Sequence, residues 1–131
     1  MASFVFCEDD ALIRKMVAVM LRGSGHDLHF AASGDEGLAL IARERPAAVF
    51  TDRWMPGLDG LALCDALKTS RDFAQLPVIL ITAALEDGER REALRRGVAA
   101  ILDKPFKPME LRSLVERYTP VPPPMTTDDQ R

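Results

Sequence analysis

Cysteine is scarce in this chain of 131 residues, with Cys7 and Cys64 alone. That excludes a disulfide scaffold, and both lie in apolar surroundings, so they read as reduced core residues of a cytosolic protein. An excess of positive charge is lacking too. The 17 basic residues face 20 acidic ones for a net charge of −3, so no overall field recruits nucleic acid. No stretch approaches the roughly 18 apolar residues of a membrane span, and no basic segment precedes an apolar run at the N-terminus. Membrane spanning and secretion are therefore not expected. What is present is 47% hydrophobic and 28% charged residues, the balance of one soluble globular domain. Residues 1–119 are expected to form that domain. Residues 120–131, with four prolines and otherwise mostly polar residues, read as a disordered tail or the stub of a linker.

Short apolar runs alternate with amphipathic segments. Phe4-Val5-Phe6-Cys7 is a strand-like run that stops at Glu8-Asp9-Asp10. Leu12, Ile13, Met16, Val17, Met20 and Leu21 then form one wide helical face, ended by Gly23 and Gly25. Residues 27–31 alternate like an edge strand, with His26 and His29 expected at the surface. Ser33 and Glu36 hold capping-box positions for a helix that runs to Arg45, before Pro46. A buried run over 47–51 ends at Asp52, turn chemistry follows at Met55-Pro56-Gly57-Leu58-Asp59-Gly60, and a helix begins at Leu61. Val78-Ile79-Leu80-Ile81 ends at Thr82. The helix expected over 86–96 has little apolar stripe beyond Leu85, Ala93 and Leu94, but offers three i,i+4 charge pairs, Glu86/Arg90, Asp87/Arg91 and Glu92/Arg96. So weak a stripe makes it a candidate mobile element. Ala99-Ala100-Ile101-Leu102 leads to Asp103-Lys104-Pro105, and Leu111, Leu114, Val115 and Tyr118 give a last helix. Five βα units imply a parallel sheet with helices on both faces and all carboxyl ends on one rim.

The chemistry lies at those ends: Glu8 and Asp9 after the first strand, Asp52 after the third, Thr82 after the fourth and Lys104 after the fifth. Three carboxylates brought together repel unless a cation screens them, and hard oxygens in a wet site suit Mg²⁺. An acidic turn after the first strand excludes a glycine-rich phosphate loop, whose free amides it would replace with negative charge. With the cluster screened, Asp52 is the candidate nucleophile towards phosphorus, and Thr82 and Lys104 are candidate partners for phosphoryl oxygens.

Glu8-Asp9, Asp52-x-x-Met55-Pro56-x-x-Asp59-Gly60, Thr82-Ala83 and Lys104-Pro105-Phe106, in this order, resemble the receiver domain of bacterial two-component response regulators over about residues 3–118. The resemblance implies a flavodoxin-like, doubly wound (βα)₅ fold with a five-stranded parallel sheet of order 2-1-3-4-5. It implies Mg²⁺-dependent transfer of a phosphoryl group from a histidine kinase or histidine phosphotransfer protein to Asp52. Asp9, Asp52 and the backbone carbonyl of Trp54 would bind the metal, with Glu8 acting through its water. Pro105 would follow a cis peptide bond that helps aim Lys104, and Thr82, Ala83, Ile101 and Pro105 would belong to the switch surface. Such a module catalyses its own phosphorylation and dephosphorylation and turns over no separate substrate. Its expected partners are the phosphodonor and an unspecified downstream protein, with no direct contact to DNA or membrane.

Three positions depart from the family pattern. Trp54 sets a bulky indole two residues after Asp52, with an expected effect on water access and acyl-phosphate lifetime. Ile101 replaces an aromatic whose rotation often reports phosphorylation. Ala99, Ala100 and Leu114 stand where a common dimer interface has an acidic pair and an Arg. Two rivals follow: a phosphorylation-independent interaction module of the same fold, and an aspartyl-phosphate hydrolase. The hydrolase usually needs a second Asp where this chain has Trp54.

Overall fold

The structure is a computed structural model that describes residues 2–83 and 85–121. Five strands and five helices alternate: β1 (Ser3–Cys7), α1 (Ala11–Met20), β2 (Asp27–Ala31), α2 (Gly34–Glu44), β3 (Ala48–Asp52), α3 (Gly60–Lys68), β4 (Val78–Ala83), α4 (Asp87–Arg95), β5 (Ala100–Lys104) and α5 (Pro108–Arg117). All strand pairs are parallel, as the alternation of elements implies, and their order β2-β1-β3-β4-β5 is the one the resemblance implies. Of the expected tail, Pro120 and Val121 are described and exposed; the remainder lies outside the described residues. Among the described residues no helix is long and apolar enough to cross a membrane.

Side chains alternate across a strand with period two, so each strand feeds two cores. Phe4, Phe6, Phe50, Ile79, Ile81 and Leu102 face Val17 of α1 and Leu111 and Val115 of α5. Phe6 stacks on Phe50 with ring centroids 4.8 Å apart, and on Phe30 at 5.5 Å. The other face sets Val5, Cys7, Val49, Val78 and Leu80 against Ile41 of α2, Leu63 and Leu67 of α3 and Ala93 of α4. Cys7 and Cys64 are free, buried thiols, as expected. Burial pushes the Cys7 thiol up to about 12, which makes it an inert core group.

Helix starts are set by short polar side chains. Asp10, Ser33 and Asp59 accept the backbone N–H of Leu12, Glu36 and Ala62. Glu36 reaches back to the N–H of Ala32.

Three local readings need correction. The i,i+4 charge pairs expected on α4 do not form among the described residues: Arg90 turns to Asp103 of β5 at 3.0 Å, Arg96 to Asp65 of α3, and Arg95 to Glu92. Arg90 and Arg96 lie within reach of acids on β5 and α3, and because those acids stay about half exposed each pair adds little to stability. Secondly, His26 is not a surface residue. Its side chain is 6% exposed, its Nδ1 accepts the N–H of Ala2 at 3.0 Å, and its ring meets Phe4 edge-on. The start of β1 and the end of α5 converge on it, and the imidazole's apolar body fills the gap. His29 remains partly exposed beside Glu44. Thirdly, the outer edge of the α1 stripe is not core, because Leu12 and Met16 are exposed.

Candidate functional site

The sequence sets Asp52, Thr82 and Lys104 just past their strands, whereas in the structure each lies within one. Asp52 pairs in register with Ile81, Thr82 with Asp103 and Lys104 with Ala83. Strand parity therefore aims them. Glu8, Asp52 and Lys104 each come two residues after a member of the α1/α5 core, namely Phe6, Phe50 and Leu102, so all three project to the same side of the sheet. Thr82 follows Leu80 and belongs to the other parity, on the strand between Asp52 and Lys104.

Lys104 crosses β4 to complete the cluster. Its Nζ donates to Glu8 Oε1 at 2.9 Å and to Asp52 Oδ2 at 3.0 Å. The side chains are 8% exposed for Glu8, 12% for Asp52 and 22% for Lys104, so these charges meet in a largely desolvated cleft. Asp9 is exposed, yet one carboxylate oxygen each from Glu8, Asp9 and Asp52 lie within 4.8 Å of one another. Burial raises the Glu8 carboxyl above its ordinary range, outweighing the Lys104 ammonium and the N–H of Asp10, which pull it down. Burial alone would lower Lys104, but bonds to Glu8 and Asp52 leave it raised. Three carboxylates answered by one ammonium leave two negative charges, the complement of one divalent cation, and the all-oxygen donor set is that of a hard ion.

The peptide bond from Lys104 to Pro105 is cis, as the resemblance implied. Ile101 packs half-buried against the α2/α3/α4 core rather than standing free. Ala83 is exposed at the end of β4. Trp54 is 63% exposed, and the Arg53 guanidinium covers one face of its indole, 3.8 Å from the ring centroid.

Sequence reasoning missed the residues that support this cluster. Arg14 donates to the main-chain carbonyl of Glu8 at 2.7 Å, and the N–H of Asp10 to Glu8 Oε2 at 3.1 Å. Arg53 donates to Asp59 Oδ2 at 3.0 Å while Asp59 Oδ1 caps α3. A cap signal was legible at Asp59 in its position before an apolar helix, but no periodicity marks Arg53 or Arg14.

The bonds of Asp59 carry a pH dependence. Burial would raise its carboxyl, but the N–H of Ala62 and the Arg53 guanidinium outweigh it and hold the group below the ordinary carboxylate value. A folded value below the unfolded one means stability present above the ordinary Asp range and lost as pH falls through the depressed folded value. Asp59→Asn keeps a capping oxygen and removes the charge. We expect a deficit of under about 1 kcal/mol in urea unfolding near neutral pH, since solvent reaches the pair. The deficit should shrink as the pH drops below the Asp range, and a pH-independent deficit would contradict the assignment.

With the geometry in place, the chain can be set beside known proteins. The family model for the response regulator receiver domain matches residues 4–116. The response regulator MprA of Mycolicibacterium vanbaalenii is 38% identical over 117 residues, covering 86% of this chain and 50% of that protein. The chain thus spans about half the length of the curated relatives it first matches. Among solved structures, chemotaxis protein CheY4 of Vibrio cholerae superposes with a TM-score of 0.84 at 27% identity, covering 91% of this chain and 99% of that one. The receiver domain of sensor histidine kinase PA1611 from Pseudomonas aeruginosa, solved with a magnesium ion in its active site cleft, gives 0.80 at 27% identity, covering 89% and 96%. A cluster of acids on a 2-1-3-4-5 sheet, one lysine reaching across β4 to join them and a family match over nearly all described residues lead to one conclusion: this chain belongs to the response regulator receiver domains, whose family function is that of a phosphoacceptor in two-component signalling.

Proposed function

We propose that Asp52 accepts a phosphoryl group from the phosphohistidine of a histidine kinase or histidine phosphotransfer protein. The observation that carries this reading is the Asp52 carboxylate, held 3.0 Å from the Lys104 ammonium inside the acidic cluster. An Asp52 oxygen forms the new P–O bond as the P–N bond breaks, and the electron pair leaves with the imidazole nitrogen. Lys104 faces the charge on the transferred oxygens, and the Thr82 hydroxyl offers them a hydrogen bond from β4. Asp9, Asp52 and the main-chain carbonyl of Trp54 would hold Mg²⁺, with Glu8 acting at longer range. When bound, the ion supplies charge neutralisation for the incoming phosphoryl group. The magnesium in the PA1611 receiver supports this assignment.

Phosphodonor and readout fall on different faces. A cavity of about 340 Å³ between α1 and the loop after β5 is lined by Ile13, Met16, Pro105, Phe106 and Lys104. Because Lys104 serves both cavity and cluster, an apolar donor surface seated there brings its phosphohistidine to Asp52. On the opposite side, α4 buries only Ala93 and is held by Arg90–Asp103 and Arg96–Asp65. A cavity of about 270 Å³ beneath it, lined by Leu61, Leu80, Leu85 and Gly88 among others, gives it room to move. Phosphate drawing the buried Thr82 hydroxyl toward Asp52 shifts the segment that leads into α4, and the α4/β5/α5 face changes shape for a downstream protein.

Incubation with a small phosphoramidate and Mg²⁺, followed by intact mass, tests the reading. The expected result is a gain of one phosphate, absent in Asp52→Asn and absent after chelation. No gain with any small donor would favour a phosphorylation-independent interaction module.

A further inference from the structure

The loop from Asp52 to Gly60 carries both the proposed acceptor and the carbonyl proposed to bind metal, so whatever fixes this loop fixes the site. Arg53 bonds to it at three points. Its main-chain carbonyl accepts the N–H of Gly60 at 3.0 Å, its guanidinium donates to Asp59 Oδ2 at 3.0 Å, and the same guanidinium lies 3.8 Å from the Trp54 ring centroid. Asp59 is anchored in turn by the N–H of Ala62 at 2.9 Å. The Arg53 side chain is 19% exposed although it belongs to a rim loop, while Trp54 beside it is 63% exposed. An indole left that open would sample several rotamers, and its peptide would move with it. A planar cation bonded at its edge to a helix cap and at its face to the indole removes that freedom.

We infer that Arg53 is a positioning residue for the metal site: by joining Trp54 to the cap of α3 it holds the Trp54 peptide, and so the carbonyl offered to Mg²⁺, in place before the ion arrives. This rests on the proposed phosphoacceptor reading and adds a residue that touches neither metal nor phosphate.

Trp54 is the chain's single tryptophan, so its emission reports on the stack directly. In Arg53→Ala, Mg²⁺ affinity measured by calorimetry is expected to fall roughly tenfold, the lower end of the loss when support of a metal ligand is removed. Acrylamide is expected to quench Trp54 more readily in the same variant, with a melting temperature close to that of the wild type. Arg53→Lys keeps the positive charge but lacks the planar face that lies on the indole while its edge bonds Asp59, so it is expected to recover only part of the lost Mg²⁺ affinity. If Arg53→Ala does not fold, Trp54→Leu removes the stack and keeps the bridge to Asp59, and Mg²⁺ affinity measured by calorimetry is again expected to fall. Wild-type Mg²⁺ affinity in the folded variant overturns this inference alone. Failure of the wild type itself to bind Mg²⁺ overturns the proposed function and the inference with it.

Discussion

Lys104→Met is expected to leave a protein that is less stable, dependent on Mg²⁺ for that stability, and about 100-fold slower to take up phosphate. Lys104 is the ammonium bonded to Glu8 and Asp52, whose side chains are only 8% and 12% exposed. Removing it leaves two carboxylates facing each other in a cleft that water barely reaches. Breaking a fully buried pair costs about 3–5 kcal/mol; here about 2 kcal/mol is expected, because Lys104 retains contact with solvent. A divalent cation restores what the ammonium supplied. Millimolar Mg²⁺ should therefore raise the melting temperature of the variant by more than that of the wild type. The kinetic loss follows from taking away a fixed positive charge opposite the developing charge, a contribution of about 100-fold in comparable sites. Equal Mg²⁺ stabilisation of the two proteins, or wild-type uptake by the variant, would contradict the roles given to Lys104. The wild-type bonds also set an alkaline limit. Lys104 is raised in the fold, so its contribution is complete below the ordinary Lys value and lost as pH rises through the folded one.

Gly60→Ala and Gly88→Ala are expected to act in opposite directions. Both glycines lie in the first turn of a helix, α3 and α4 respectively. A Cβ on Gly60 would overlap the main-chain carbonyl oxygen of Asp52 and press on Leu80. The obstacle is backbone, with no flexible side chain to give way, so the end of β3 must shift. The expected cost is about 2–3 kcal/mol in denaturant unfolding. The same shift displaces Asp52 relative to Lys104, and phosphate uptake should fall even at temperatures where the variant is folded. A Cβ on Gly88 meets open space. That substitution removes only backbone freedom from the unfolded chain and is expected to stabilise by about 0.5–1 kcal/mol. Equal effects from the two would mean that the close approach of α3 to β3 does not constrain the site.

Much of the site was readable from spacing. Glu8, Asp52 and Thr82 stand where an apolar run ends, and Lys104 stands one residue past such an end, and the parallel sheet then places all of these ends on one rim. What spacing missed was strand parity. Phe6/Glu8, Phe50/Asp52 and Leu102/Lys104 share a two-residue step that sends all three polar groups to one side, but the step is visible only once the strands are known to include Asp52 and Lys104. Arg53 carried no signal at all. Its partners are its neighbour Trp54 and the cap Asp59, joined by the path of an irregular loop that no periodicity encodes.

The sequence by itself determined the five βα units, the two apolar faces and the identity of the acidic rim, because burial patterns and helix caps are local and repeat with the period of the element that uses them. Only the tertiary structure decided which charges pair. On α4 the local partners lay one turn away, yet Arg90 and Arg96 chose Asp103 and Asp65, residues 13 and 31 positions distant. His26 is likewise buried by Ala2 and Phe4 and by Thr119, 93 positions on. Lys104 reaches Glu8 across 96 positions of chain. A charged side chain is long and can satisfy itself in several directions, so its partner is settled by which surfaces the fold brings within reach.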